Sequence, residues 1–251
     1  VNDTFTQHII DVCHTQDTVN RKSLGDDWKY QGYKQEDVDY AFAAIDEISE
    51  FWRSALHYKW WAKAKEQDID NAITELVDIL HFGVSQDLIH QHYFLGVKDD
   101  AKAYQLIAKD AVRSADRARA NFDYTCKSGT DTQIAMRRAT KELLAGFTAA
   151  CIEDHDVFMW DDFWELTYLI GATPELIVSR YKAKAQLNLF RQANGYKDGT
   201  YKKYWKDGRE DNAFLSDYLK TLQAYPGDEE IQKWLTANYL LCTAPTVTAQ
   251  A

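Results

Sequence analysis

Apolar residues recur along this chain at three- and four-residue intervals, the period of a helix with one buried face. Phe5, Ile9, Val12 and Val19 set that rhythm over Phe5–Asn20, as a fairly narrow stripe. Gly25–Gly32, with Trp28 and Tyr30 inside it, is expected to be a loop. Two longer helices follow, Val38–Leu56 and Ile69–Leu95. Ala101–Cys126 is more charged, with a thin apolar stripe, and Gly129 breaks it. Thr132–Ile152 has a fuller stripe of Ile134, Met136, Leu143, Leu144 and Phe147. Residues 155–169 are rich in Trp, Phe and Asp, and Asp161-Asp162 read as acids of a helix N-terminus, where the dipole favours them. Thr173-Pro174-Glu175 opens the next helix, threonine as cap and proline in the first turn, and Gly195 stops it after Asn194. Helices at about Asp211–Ala224 and Asp228–Leu241 complete the pattern, and Thr243–Ala251 reads as a disordered tail. The expected fold is an all-α helical bundle with no sheet.

Composition agrees with that pattern. Three prolines and eleven glycines in 251 residues leave little to punctuate long helices. With 45% apolar and 14% aromatic residues the chain can build one good core, or a core and a small lobe. A net charge of −10 argues against a general nucleic-acid binder. Cys13, Cys126, Cys151 and Cys242 form no CxxC and read as reduced thiols. No apolar run approaches the roughly 18 residues of a membrane span, and no signal peptide is recognisable, so the expected location is cytoplasmic. Walker A, GxGxxG and GxSxG motifs are absent, which removes the nucleophilic serine and P-loop chemistries.

The chemistry concentrates between Ile45 and Phe82. Glu47/Glu50 and Glu75/Asp78 are each spaced i, i+3, so each pair lies on one helix face. Ile45, Ile48, Phe51 and Trp52 surround the first pair; Ile73, Leu76, Val77, Ile79 and Leu80 surround the second. One ExxE is ordinarily a solvated helix face. Two acidic pairs in apolar runs converge four carboxylates, and like charges taken out of water demand a cation. Oxygen ligands without cysteine suit Mg²⁺, with Mn²⁺ as a substitute. His81, three residues beyond Asp78, either joins that metal shell or supports it from behind.

Three other patterns bear on ligands. Gln16 and Asn20 are side by side on the first helix, either as surface polar residues or as amides able to read a nucleobase edge. Lys59-Trp60-Trp61 lies between the acidic helices, as core packing or as the wall of a base pocket. Arg180–Arg209 has nine Lys and Arg against Asp198 and Asp207, a net +7 that leaves −17 for the rest of the chain. Glycines 195, 199 and 208 and the aromatics Tyr196, Tyr201, Tyr204 and Trp205 thread through it, as in a glycine-hinged polyphosphate clamp.

Together these segments resemble the all-α dimeric dUTPases, which are related to phage dCTPase–dUTPases and MazG-like NTP pyrophosphatases. The resemblance rests on Gln16-x-x-x-Asn20, Glu47-x-x-Glu50, Lys59-Trp60-Trp61, Glu75-x-x-Asp78-x-x-His81-Phe82, and the run Phe190–Gly199 with Gly208–Asn212. It implies that Glu47, Glu50, Glu75 and Asp78 hold two or more Mg²⁺ ions over the substrate phosphates. Gln16, Asn20, Trp61, His81 and Phe82 then correspond to the uracil and deoxyribose pocket. Lys184, Asn188, Arg191, Tyr196, Lys197, Lys203, Asp211 and Asn212 correspond to residues that contact sugar and phosphates or order the loop around them. The implied reaction takes dUTP, and dUDP, to dUMP, keeping uracil out of DNA. Glu50 or Glu47 takes a proton from water, and Arg191, Lys184 and Lys197 stabilise the departing phosphate. The implied molecule is a homodimer with no nucleic-acid or membrane partner. Each chain is one domain, with a rigid part (about 1–95 and 130–190) and a mobile part (about 191–241). Two departures fall near the base pocket: Tyr58 where members carry tryptophan, and one extra residue between Glu50 and Trp61. A dCTPase–dUTPase is the alternative activity, because one amide presents either its carbonyl or its NH₂. A non-catalytic binding protein is the alternative class. A di-iron protein is excluded because neither carboxylate pair contains ExxH.

Overall fold

The computed structural model describes residues 3–56, 59, 61, 66–153, 158–205, 208–222 and 224–243. These hold ten α-helices: α1 Asp3–Leu24, α2 Trp28–Lys34, α3 Tyr40–Ala55, α4 Ile69–Tyr93, α5 Asp100–Ser128, α6 Thr132–Glu153, α7 Trp160–Leu169, α8 Pro174–Ala193, α9 Asp211–Lys220 and α10 Asp228–Thr243. Among the described residues there is no strand, only an isolated bridge between Tyr204 and Glu210. The all-α expectation holds. Tyr58, Trp60, residues 155–157, Lys206, Asp207 and the tail from residue 244 lie outside the described residues.

Aspartate caps start the central helices. Asp39, Asp68 and Asp99 each accept a hydrogen bond from a backbone N–H three residues on, at 2.8, 2.9 and 3.0 Å. Each such cap contributes about 1 kcal/mol to its helix. Thr173 caps α8 in the same way, accepting from Leu176 N–H at 3.2 Å, and Gly129 ends α5 in the left-handed conformation.

Two boundaries differ from the expectation. Gly25–Gly32 is not all loop, because α2 begins at Trp28 and includes Gly32. A Cβ on Gly32 would lie 2.5 Å from Ile89 Cδ1 and 2.9 Å from Tyr40 Cε2, so this glycine serves close packing. Likewise α9 ends at Lys220 rather than Ala224. Thr221 and Leu222 N–H close tight turns onto the Tyr218 and Leu219 carbonyls, ahead of Pro226, which disfavours helix in the residue before it.

The chain forms two compact units, Val1–Tyr181 and Lys182–Ala251, divided within α8. In the first, α3 packs along α4, α5 lies on α7 and α1, and α6 lies on α3 and α7. Ile48, Phe51, Leu76, Ile79, Leu80 and Leu88 fill its centre, with Trp28, Trp160 and Trp164 fully buried. Asp87 is a buried acid of α4. It accepts the Phe158 backbone N–H and the Trp160 indole N–H, each at 2.8 Å. A Cβ on Gly83 would meet the Phe158 ring at 2.6 Å, so glycine lets that ring settle on α4. The second unit is smaller and aromatic: Phe190, Tyr201 and Trp205 pack with Leu187, Leu215, Ile231 and Leu235. Tyr239 stacks on Tyr201 with ring centres 5.0 Å apart, and Tyr218 on Trp234 at 4.6 Å.

Candidate metal and nucleotide site

Of the four carboxylates expected to converge, three do. The apolar faces of α3 and α4 meet through Ile48, Phe51, Leu76 and Ile79, and their acidic positions follow that contact. One oxygen from each of Glu47, Glu75 and Asp78 lies within 4.8 Å of the others. Glu75 is buried, and its carboxylate accepts from Asn71 Nδ2 at 2.8 Å. Asn71 Nδ2 also donates to Ser54 Oγ at 2.8 Å, which ties the carboxylate's orientation to both helices. Neither Asn71 nor Ser54 was found by sequence reasoning, although Asn71 stands at i−4 from Glu75. Three hard oxygen donors without sulfur fit a divalent cation of the Mg²⁺ or Mn²⁺ kind. Glu50 stands outside the trio: its side chain is 47% exposed and lies 3.8 Å from Arg53 Nη1.

Gln16 and Asn20 are not surface amides, being 3% and 5% exposed. Gln16 Nε2 donates to Asn20 Oδ1 at 2.9 Å, and Asn20 Nδ2 donates to Ser85 Oγ at 2.9 Å. Ser85 Oγ in turn donates to the His81 carbonyl, one helical turn back, at 2.8 Å. At the other end Gln16 Oε1 accepts from Tyr181 Oη at 2.8 Å and pairs with His81 Nδ1 at 2.6 Å. Burial pushes the Tyr181 phenol well above its ordinary pKa, so it stays a hydroxyl. The His81 ring lies 4.3 Å from the Tyr181 ring, which makes it a partner of the amides. Phe82 is half-buried with its ring 6.4 Å from that of Tyr40; Trp61 is 65% exposed. Ser85 and Tyr181 went unnoticed in the sequence, since nothing marks a serine or tyrosine in an apolar run as part of a relay.

Beside this relay, Asp17 accepts from Trp28 Nε1 and Tyr104 Oη at 2.8 Å each and from Arg21 Nε at 3.0 Å. Burial opposes its charge, but Lys29 and these donors outweigh burial and hold the carboxyl below its ordinary pKa.

The basic segment belongs mostly to the second unit, where acids just beyond it answer three of its cations. Arg191 Nε and Nη2 donate to the two oxygens of Asp211 at 2.8 and 2.6 Å. Tyr201 Oη and Asn212 N–H also donate to Asp211, each at 2.8 Å. Arg191 Nη1 reaches Asn188 Oδ1 at 3.2 Å, and the guanidinium sits 5.8 Å from the Tyr196 ring centre. Burial opposes the Arg191 charge, yet Asp211 raises its pKa overall. Lys203 pairs with Glu210 at 3.1 Å and Arg209 with Asp217 at 2.8 Å. Lys197 is exposed and Lys184 half-buried. Gly195 (φ +87°) closes the turn after α8, its carbonyl accepting from Thr200 and Tyr201 N–H. The structure thus groups Arg191, Asn188, Tyr196, Asp211 and Asn212 in one unit, and Glu47, Glu75, Asp78, Gln16, Asn20 and His81 in the other.

Among the described residues no helix is long and apolar enough to cross a membrane. No individual curated protein matches the chain significantly. A protein-family model for dUTPase matches residues 8–196, so the chain belongs to the all-helical dUTPase family and is a dUTP diphosphatase, a hydrolase that acts as a nucleotide pyrophosphatase.

Proposed function

We propose that the chain is a Mg²⁺-dependent enzyme that converts dUTP, and also dUDP, to dUMP. The convergence of Glu47, Glu75 and Asp78 from two adjacent helices is the observation that carries this reading. These three residues, joined by Glu50, would hold two or more ions, Mn²⁺ substituting. When bound, a divalent ion neutralises phosphate charge and lowers the pKa of a water nearby.

The chain's own residues do the rest. Glu50, accessible and one turn from Glu47, takes the proton of the attacking water. Gln16 and Asn20 bind the base, with Trp61, His81, Phe82 and Asn188 around base and sugar. Arg191, Lys184, Tyr196, Lys197, Lys203 and Asn212 contact the phosphates or order the turn beside them, and Asp211 orients Arg191. The catalytic molecule is a homodimer that removes dUTP before it enters DNA, in the cytoplasm.

Pyrophosphate release from each dNTP, and phosphate release from dUDP, measured with Mg²⁺ and with EDTA, tests the reading. Metal-dependent release from dUTP and dUDP alone supports it; comparable release from dCTP makes the chain a dCTPase–dUTPase instead. A dimer mass by light scattering checks the assembly.

A further inference from the structure

The relay that holds the two base-reading amides has a direction, and that direction is set at one serine. Ser85 Oγ is 2.8 Å from the His81 carbonyl, which has no proton to give, so the hydroxyl spends its single proton there. Toward Asn20 the hydroxyl then only accepts, and the atom facing it at 2.9 Å must be Nδ2. Asn20 consequently turns Oδ1 toward Gln16, whose Nε2 donates to it at 2.9 Å. Gln16 Oε1 is left facing the Tyr181 hydroxyl and His81 Nδ1, both able to donate. Neither amide can flip alone without setting two acceptors or two donors against each other among buried side chains, where a lost hydrogen bond carries much of its desolvation cost.

We infer that Ser85 is a specificity-determining residue: by fixing the proton order of the Gln16–Asn20 pair, it commits the site to uracil over cytosine. This rests on the reading that Gln16 and Asn20 bind the base. Each amide NH₂ spends one hydrogen inside the relay, and Asn20 Oδ1 keeps a second lone pair. The pair therefore offers a ligand a donor (Gln16 Nε2), an acceptor (Asn20 Oδ1) and a donor (Asn20 Nδ2). The Watson–Crick edge of uracil reads acceptor, donor, acceptor at O4, N3–H and O2, the complement at every position. Cytosine reads donor, acceptor, acceptor, and opposes the relay at its first two positions. With the relay reversed, those two positions would suit cytosine. The ambiguity of a lone amide is removed by a hydroxyl on the neighbouring helix.

The test is kcat/KM for dUTP and for dCTP in the full-length chain, comparing the parent with Ser85→Ala, Tyr181→Phe and Gln16→Ala, with helicity checked by circular dichroism. Ser85→Ala is expected to lower the dUTP-to-dCTP ratio about tenfold or more, by admitting the reversed amide order. A structural defect would lower both substrates alike and leave the ratio unchanged, which would overturn the inference. Tyr181→Phe leaves the serine end intact and should hold the ratio within about threefold. If Tyr181→Phe collapses the ratio and Ser85→Ala does not, the order is set from the tyrosine and the assignment to Ser85 is wrong. Ser85→Cys, close in volume and a weaker acceptor, replaces the alanine variant should that variant not fold, with a smaller fall in ratio expected and an unchanged ratio overturning the inference. Gln16→Ala separates the underlying reading: unchanged KM for both nucleotides removes the base pocket itself, whereas raised KM with an unmoved Ser85→Ala ratio removes only the role of Ser85.

Discussion

The carboxylate trio of the first unit and the Arg191–Asp211 pair of the second treat buried charge in opposite ways. Asp211 meets a guanidinium fork, a phenol and a backbone N–H, so its charge is answered within the unit. Glu47, Glu75 and Asp78 bring three carboxylates together, one oxygen of each within 4.8 Å of the others, with the amide of Asn71 on Glu75. A neutralised pair serves the fold. Like charges gathered at one point repel, and three hard oxygen donors so placed suit a divalent cation. The lesson is that the grouping of carboxylate oxygens, more than burial, separates a candidate metal site from a structural ion pair.

The largest break in this contrast is expected at Glu50. Glu50→Gln should lower kcat by about 10²–10⁴-fold, the usual worth of a general base, with the melting temperature unchanged. Retained turnover would return the base role to Glu47. Next in size is Arg191→Ala, which strands a buried aspartate and should cost about 3–5 kcal/mol in urea denaturation. Glu75→Gln, by contrast, removes one of three clustered like charges and should cost less stability than Arg191→Ala while activity is lost; a destabilisation matching that of Arg191→Ala would erase the distinction. Asn71→Ala, acting through Glu75, should weaken Mg²⁺ binding about 10–100-fold in a titration followed by calorimetry.

The smallest effect sharpens the comparison with two buried aspartates. Asp17, answered by Lys29, has a lowered pKa, so its stabilisation is present above the ordinary value of 3.8 and is lost as pH falls through the folded-state value. Asp87 has N–H donors alone at hydrogen-bond distance, and burial pushes it up to about 7 despite them, with Asp110 adding to the rise. Its contribution is complete below 3.8 and is lost as pH rises through about 7. Thermal melts of the parent from pH 4.5 to 8 should therefore show a falling component that Asp87→Asn flattens.

Much of this was legible in the sequence. Helical periodicity located the long helices, and the i, i+3 spacing of Glu75 and Asp78 put both on the face that meets Glu47. Glu50, spaced likewise from Glu47, stands at the solvent edge of the seam, because three residues turn a helix by about 300°. Gly32 was read as loop because a glycine's local meaning is a break. Its role depends on Ile89 and Tyr40, which periodicity does not connect to it. Ser85, Tyr181 and Asn71 were invisible for the same reason: their chemistry lies in partners brought by packing.

The Asp87 contact has a consequence for isotope exchange. Phe158 lies in the connection before α7, where a backbone amide ordinarily trades its proton with solvent quickly. Here that amide is donated to a carboxylate in the middle of α4. Its deuterium uptake should be as slow as that of the central helices, so a single loop proton becomes a clock for the opening of the whole first unit.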